Sequence, residues 1–392
     1  MPQAVIVDAV RSPMGRGKTS GALAALHPAD LLGQVLAALA QRNRLDPLDV
    51  DDVLVGCVTL SGEQAGTPGR QAVLAAGWPV EVPAVSIERK CGSGQQAVEF
   101  AAAGVTAGLY DVAVAAGVES MSRVPIGSNR QGADPHGPAV RERFPDLVPQ
   151  GVAAELVAAK WGLSRAEQDE YAVRSHARAA EAAGSGAFDG EIVPIEASGS
   201  LVRRDESIRA GTTAARLADL SPAFRTDELA QRFPHVAWSV TAGNSSQITD
   251  GAAALLVMSD EKAAALGLWP RARIVASAVC GSDPELMLTG PIPATHRVLD
   301  RAGLALEAID VFEVNEAFAA VPLAWHREFP VPEEKLNPRG GAIALGHPLG
   351  ASGARLMTTM LAHLEATGGR YGLQTMCEAG GMANATVLER LG

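Results

Sequence analysis

Aromatic side chains are scarce in this chain of 392 residues, where Phe, Trp and Tyr together make up 4%. A core short of large rings has to be filled by Ala, Val and Leu, the material of buried strands flanked by Ala-rich helices. Long apolar runs are missing as well. None approaches the ~20 residues that a spanning helix needs, so no membrane partner is expected. Pro2-Gln3-Ala4 leads into Val5-Ile6-Val7 without a basic region, which reads as a first strand and not a signal peptide, and a cytoplasmic location is the expectation. Positive charge is outnumbered, with 33 Lys and Arg against 44 Asp and Glu and a formal net charge of −11. With no compensating basic block, general nucleic-acid binding is excluded, although a few local Arg residues can still serve an anionic small ligand. Cysteine is limited to four residues. Without a secretory signal these do not form a disulfide framework. No two stand at close ligand spacing, so no metal is expected. Each is therefore weighed as a thiol.

The chain is long enough for two or three units at roughly 100–200 residues each. Apolar runs at Ala4–Val10, Val53–Val58, Pro83–Glu88 and Val112–Val118 alternate with helical spacing at Asp30–Ala40 and Gly92–Gly108. Such alternation predicts an α/β layered fold with much buried sheet. From Glu119 to Trp238 the sequence is more charged and richer in Pro, and Ser164-Arg165-Ala166-Glu167 is a capping box that opens a helix through Ala183. A strand-rich pattern returns from Ala252. Leu45–Val53 and Leu304–Phe312 share one design, a charged turn into an apolar strand after an Ala/Leu helix. These features predict a duplicated architecture: an N-terminal α/β half at 1–118 completed by about 248–268, an inserted loop domain at 119–247, and a C-terminal α/β half at 269–392.

Four segments can carry chemistry. In Glu88-Arg89-Lys90-Cys91-Gly92-Ser93-Gly94 a thiol precedes the start of a helix, where free N–H groups and the dipole favour a thiolate. A free cysteine is more often structural, but Gly-Ser-Gly with two basic neighbours is not core material. In Gly340-Gly341-Ala342-Ile343-Ala344-Leu345-Gly346-His347-Pro348-Leu349-Gly350 the imidazole is clamped between Gly346 and Pro348, which suits an aimed base; a long helix is expected to begin near Ala354. Met376-Cys377-Glu378-Ala379-Gly380-Gly381 ends a strand in a thiol and a Gly-rich turn able to gather N–H groups on an anion. Asn315-Glu316-Ala317-Phe318 sits between strand and helix, where Asn315 could be no more than an N-cap. Cys57 and Cys280 lie in apolar strands and read as core filler.

Taken in order, these segments resemble the thiolases, and Thr241-Ala242-Gly243-Asn244-Ser245-Ser246 with Asp250-Gly251-Ala252-Ala253 matches a further thiolase segment. The motifs span the chain from Cys91 to Met382. The resemblance implies two similar α/β halves in a layered α-β-α-β-α core with an inserted loop domain. It also implies an acyl-CoA C-acyltransferase that cleaves 3-ketoacyl-CoA with coenzyme A or runs the reverse Claisen condensation. Cys91 would take the acyl group as a thioester, and His347 would accept its proton and bond a thioester oxygen. Cys377 would shuttle the proton at the α-carbon, and Asn315 would hold a water facing the enolate. The N–H groups of Cys91 and Ala379 would form the oxyanion site. Arg209, Phe224, Ser246 and Met287 would meet coenzyme A or substrate. The resemblance implies no permanently bound cofactor, acyl-CoA and coenzyme A as partners, and a homodimer or homotetramer.

Departures from the family pattern bear on substrate. Ala379 replaces a glycine, Glu88 stands where Asn is common, and Val148-Pro149-Gln150-Gly151 lacks a His-Met-Gly that borders many two-carbon acyl sites. A degradative enzyme acting on fatty or bulkier acyl chains is therefore expected. Three alternatives compete. A ketosynthase-type condensing enzyme and a Cys–His hydrolase using water as acyl acceptor both leave Cys377 without a purpose, and an inactive thiolase-like binding protein leaves all four polar candidates without one.

Overall fold

The structure, a computed structural model, describes residues 2–392. The elements that position the site are, in chain order, β1 (Ala4–Arg11), α1 (Pro28–Asn43), β2 (Asp52–Gly56), β3 (Ala84–Ile87), α2 (Ser93–Thr106), β4 (Val112–Ser120), α3 (Arg165–Gly184), β5 (Thr249–Ser259), β6 (Ala272–Gly281), α4 (Pro291–Ala302), β7 (Val311–Val314), α5 (Ser352–Thr367), β8 (Tyr371–Glu378) and β9 (Met382–Arg390).

Hydrogen bonding links the strands in the order β7-β8-β9-β6-β1-β5-β4-β2-β3. The two ends of that path repeat one design. Strand β2 runs parallel to β4, β4 antiparallel to β5, and β5 antiparallel to β1. In the second half β7 runs parallel to β8, β8 antiparallel to β9, and β9 antiparallel to β6. Within the sheet, two residue pairs among the described residues join the halves, Val5 with Arg273 and Ile6 with Ala272. The paired segments that introduce β2 and β7 both contain a short 3-10 turn, Pro47–Asp49 and Leu306–Ala308. The duplication expected from Leu45–Val53 and Leu304–Phe312 is thus a real repeat of topology.

Residue size along each strand decides what packs on each face. Val112, Val114, Ala116 and Val118 of β4 face one core, which contains Leu32, Val35, Leu36 and Leu39 of α1. Ala113 and Ala115 face the other, which contains Ala97, Ala101 and Val105 of α2 and Ala354, Met357 and Leu361 of α5. This period of two with apolar residues on both faces is the mark of a fully covered sheet. Helices α2 and α5 form the middle layer, α1 covers the outside of the first half, and α4 covers β6, β8 and β9 of the second. That arrangement is the layered α-β-α-β-α core.

Local signals set the helix limits. Pro28 starts α1 behind His27, whose ring accepts from the Ala29 N–H at 3.2 Å. The capping box of α3 forms in both directions, Ser164 N–H to Glu167 at 2.8 Å and Glu167 N–H to the Ser164 hydroxyl at 3.2 Å. Helix α5 begins two residues before the expected Ala354. Among the described residues no helix is long and apolar enough to cross a membrane.

Candidate active site

The turn that presents Cys91 is held by one hydroxyl. Ser93 Oγ accepts from the Arg89 N–H at 2.8 Å and donates to the Lys90 carbonyl at 2.6 Å. Lys90 is thereby fixed at φ 47°, a left-handed conformation that costs a side-chain-bearing residue about 1–3 kcal/mol. Cys91 is 4% exposed. Its thiol is pushed up to about 12, first by burial and then by the Glu378 carboxylate, with Lys90 a minor opposing influence. The expectation of a ready thiolate at a helix N-terminus is overturned. A terminal dipole contributes about 0.3–1 kcal/mol, whereas full burial moves a titrating group by up to ~3–5 pKa units. Cys91 therefore rests as a thiol.

The His347 loop comes close to this thiol, since Leu349 packs in one buried cluster with Cys91 and Met376. The His347 N–H donates to Thr249 Oγ1 at 3.0 Å and to the Gln247 carbonyl at 3.1 Å, which fixes the backbone. Nδ1 lies 2.6 Å from Ser352 Oγ, whose own proton goes to the Pro348 carbonyl at 2.9 Å. The serine oxygen can then only accept, so Nδ1 carries the hydrogen and Nε2 a lone pair. Burial, with the charge of Arg355 added, holds the imidazole down to about 3. A neutral, oriented His is the form that accepts a proton from a thiol.

Asn315 follows directly on β7 and is fully buried. Its Nδ2 stands 3.4 Å from His347 Nε2 and its Oδ1 has no partner. The next helix, Ala320–Glu328, starts five residues later, so the N-cap reading is excluded.

Cys377 closes β8 opposite Ala383 of β9 and is fully buried. Burial raises its thiol well above the usual range, and a charged Cys91 sulfur would raise it further. Ala379 adopts an ordinary negative φ, because Gly380 at 95° and Gly381 at 77° take the left-handed part of the turn. The glycine-to-alanine departure therefore carries no backbone strain. Neither the Cys91 nor the Ala379 N–H donates to another residue among the described residues.

Close approach of two helix starts brings these segments together. A Cβ on Gly353 would lie 2.1 Å from the Gln95 nitrogen, and one on Gly94 2.6 Å from the Gly350 carbonyl oxygen. Only glycine lets the N-termini of α2 and α5 meet so closely. Two buried carboxylates then lock the loops. Glu119 accepts from the N–H groups of Val58 at 2.9 Å, Thr59 at 3.0 Å and Gly350 at 2.9 Å, and from Gln64 at 2.7 Å. Glu316 accepts from Tyr171 at 3.0 Å, Ser175 at 2.7 Å and the Ile343 N–H at 3.1 Å, tying the Asn315 and His347 loops to α3. Sequence reasoning missed Glu119, Glu316 and Ser352 as organisers. Their residue types are unremarkable, and only the position of Glu316 beside Asn315 hinted at a role.

The remaining candidates are placed unevenly. Ser246 donates its N–H to the Ala317 carbonyl at 2.9 Å beside the Asn315 box. Phe224 meets Phe318 edge-on at 6.0 Å, with Gly151 leaving room for its ring. Met287 is buried at φ 54° in the apolar cluster that includes Cys377 and Phe318. Arg209 is exposed and donates to Gln247 Oε1 at 3.2 Å, the residue whose carbonyl accepts from the His347 N–H. Cys57 is fully buried, and Cys280 donates its S–H to the Gly290 carbonyl at 3.4 Å, as core residues do. Two hollows of about 290 and 280 Å³, at Asp8/Arg42/Trp269 and at Glu155/Leu163/Ser239, involve none of the four polar candidates.

Comparison with known proteins follows the same outline. Residues 4–261 match the family described as thiolase, N-terminal domain, and residues 268–390 match thiolase, C-terminal domain. The chain is 46% identical over 400 residues to the steroid 3-ketoacyl-CoA thiolase FadA6 of Mycobacterium tuberculosis (strain ATCC 25618 / H37Rv), covering 100% of this chain and 95% of that one. It is 43% identical over 399 residues to a 3-ketoacyl-CoA thiolase of Vibrio cholerae serotype O1, covering 100% of both. The crystal structure of the Bacillus anthracis acetyl-CoA acetyltransferase superimposes with a TM-score of 0.88 at 39% identity, over 100% of this chain and 99% of that one.

Proposed function

The chain belongs to the thiolase family and is a thiolase enzyme, and from that premise we propose that it is a degradative 3-ketoacyl-CoA thiolase working by ping-pong transfer through acyl-Cys91. One observation carries the reading: Cys91 packs in one buried cluster with Leu349 of the His347 loop and Met376 beside Cys377, next to a neutral imidazole whose Nδ1 hydrogen is held by Ser352.

The chemistry follows from those groups. The Cys91 sulfur attacks the 3-keto carbon while its proton passes to His347 Nε2. The bond between carbons 2 and 3 then breaks. The acyl group stays on sulfur, and the electron pair leaves as the enolate of acetyl-CoA. Cys377 gives its proton to carbon 2. Negative charge develops first on the former keto oxygen, where the N–H groups of Cys91 and Ala379 are the donors, and then on the enolate oxygen, where His347 and a water held by Asn315 are. Donors fixed in advance at such points are worth about 3–4 kcal/mol each. In the second half-reaction coenzyme A gives its thiol proton to the Cys377 thiolate, its sulfur takes the acyl group as acyl-CoA, and the released Cys91 thiolate takes its proton back from His347 Nε2. A thiolate serves as both nucleophile and leaving group, which the two-step route requires. Run backwards, the same steps make the carbon–carbon bond.

For substrate contacts we assign Ser246 and Arg209 to the coenzyme A arm and Phe224 and Met287 to the pantetheine or acyl side. Acyl groups beyond two carbons are favoured by Val148-Pro149-Gln150 in place of a His-Met pair. The names of the relatives, among them a steroid 3-ketoacyl-CoA thiolase, support degradation of fatty or bulky chains. No cofactor enters any step. Edge strand β3, with Val85 42% exposed, offers unpaired backbone that a second copy would cover in a homodimer or a tetramer.

Initial rates of thiolysis over a panel of 3-ketoacyl-CoAs test the reading. Parallel double-reciprocal lines are expected, with kcat/KM higher for long or polycyclic acyl groups than for acetoacetyl-CoA. Intersecting lines, or a strict requirement for a carrier protein, would replace this reading with a ketosynthase-type one.

A further inference from the structure

Glu378 has no task in the mechanism above, yet it is a fully buried carboxyl beside both thiols, and neither of its oxygens has a partner. It lies at the end of β8 next to Cys377, paired with Met382. Its Oε1 lies 2.0 Å from the point where a Cβ on Gly92 would sit, so the carboxyl presses against the residue that follows the nucleophile. The Asn384 Nδ2 lies 2.9 Å from the same point but donates to the Gly92 carbonyl at 3.1 Å and leaves Glu378 unsolvated.

We propose that Glu378 is a positioning residue acting through Cys91, an ionisable gate behind the nucleophile: neutral, it leaves the sulfur free to become a thiolate, and ionised, it opposes negative charge there. An anion one residue away in a dry site disfavours a second anion. The same carboxylate raises Cys377 and, more weakly, Cys280 of β6. The groups facing Glu378 are Arg89 and Glu88 from the turn before Cys91, Glu99 from α2, and the three thiols. Burial pushes its own carboxyl up to about 8, against the attraction of Arg89 and with Glu99 and Glu88 adding to the rise. It is therefore neutral at neutral pH and charged in mild alkali, ahead of the Cys91 thiol.

The role in turnover rests on the thiolase reading, but the gate itself can be tested without any thioester. Iodoacetamide alkylation of Cys91 is followed by peptide mass spectrometry from pH 6.5 to 9.5, on the wild type and on Glu378→Gln. Thiolate availability rises tenfold per pH unit for a single thiol. The wild-type logarithmic rate should climb with unit slope, flatten near pH 8 as Glu378 ionises, and climb again. Glu378→Gln should follow the wild type at pH 6.5, show no flattening, and alkylate about tenfold faster at pH 9.5. A merely structural Glu378 would change stability without moving this break. An unbroken wild-type line, which needs no variant to fold, overturns the proposal, as does a break that persists in Glu378→Gln. A protein that shows the break but no thiolysis would keep the gate and sink the thiolase reading.

Discussion

Nδ1 of His347 and the hydroxyl of Ser352 lie 2.6 Å apart, and the serine proton is already committed to the Pro348 carbonyl. One hydroxyl thereby decides which imidazole nitrogen carries the hydrogen and which keeps its lone pair. Ser352→Ala removes the only acceptor for the Nδ1 hydrogen and releases the tautomer. Leaving a buried donor unpaired costs about 1–3 kcal/mol. A fall in kcat of about tenfold or more is expected, with KM little changed. Steady-state kinetics checks it, and an unaltered kcat would mean the ring is oriented by other contacts.

Asn315 holds its Nδ2 3.4 Å from His347 Nε2 and leaves its Oδ1 unpartnered among the described residues, and the proposed mechanism has it act on charge that exists only during reaction. Asn315→Ala should lower kcat by about 10²–10³-fold and leave KM for the 3-ketoacyl-CoA near the wild-type value. A rise in KM at constant kcat would make it a substrate-binding residue.

Glu316 accepts from α3, from Asn337 and from the segment leading to His347. Glu316→Ala leaves several buried donors without an acceptor at once. It should destabilise the fold by about 3 kcal/mol or more, read as a lower midpoint in urea unfolding. An equal loss of kcat without loss of stability would instead give Glu316 a chemical part.

Acid and alkaline stability should differ in cause. His347 is held down to about 3, and His176 and His363 to about 4, each first by burial. Their folded values lie below the unfolded value of about 6.5, so the unfolded chain binds their protons first. The stability they contribute is present above about pH 6.5 and is lost as pH falls through 4. Glu99, Glu313 and Glu378 are pushed up to about 8, again first by burial. Their folded values lie above the unfolded ones, so their contribution is full below about pH 4.3 and is lost as pH rises through 8. Between pH 6.5 and 8 only the carboxyls act, and stability should fall with pH by up to about 1.4 kcal/mol per unit for each. Urea midpoints across pH 4 to 8.5 check this, and Glu313→Gln should flatten the upper limb. A midpoint that rises steadily through pH 8 would contradict it.

Much of the fold was legible because its signals are local. Short apolar runs marked the strands, Ser164 and Glu167 marked the start of α3, and the likeness of Leu45–Val53 to Leu304–Phe312 marked the repeat of topology. The thiols, the imidazole and Asn315 stood out by residue type in Gly-rich settings. Three things were hidden because they depend on the folded interior. The Cys91 thiol is disfavoured as an anion by burial and Glu378, against what its helix terminus predicts. Ser352, Glu119 and Glu316 matter through partners distant in the chain. Gly94 and Gly353 look like ordinary helix-start glycines until α2 and α5 are seen to touch.

The most direct test of the account is the mass of the protein after mixing with a 3-ketoacyl-CoA in the absence of free coenzyme A. Release of acetyl-CoA should accompany a gain equal to the acyl group shortened by two carbons, carried on the Cys91 peptide and removed by adding coenzyme A. Acetyl-CoA released with no such adduct, or an adduct that remains in Cys91→Ala, would contradict it.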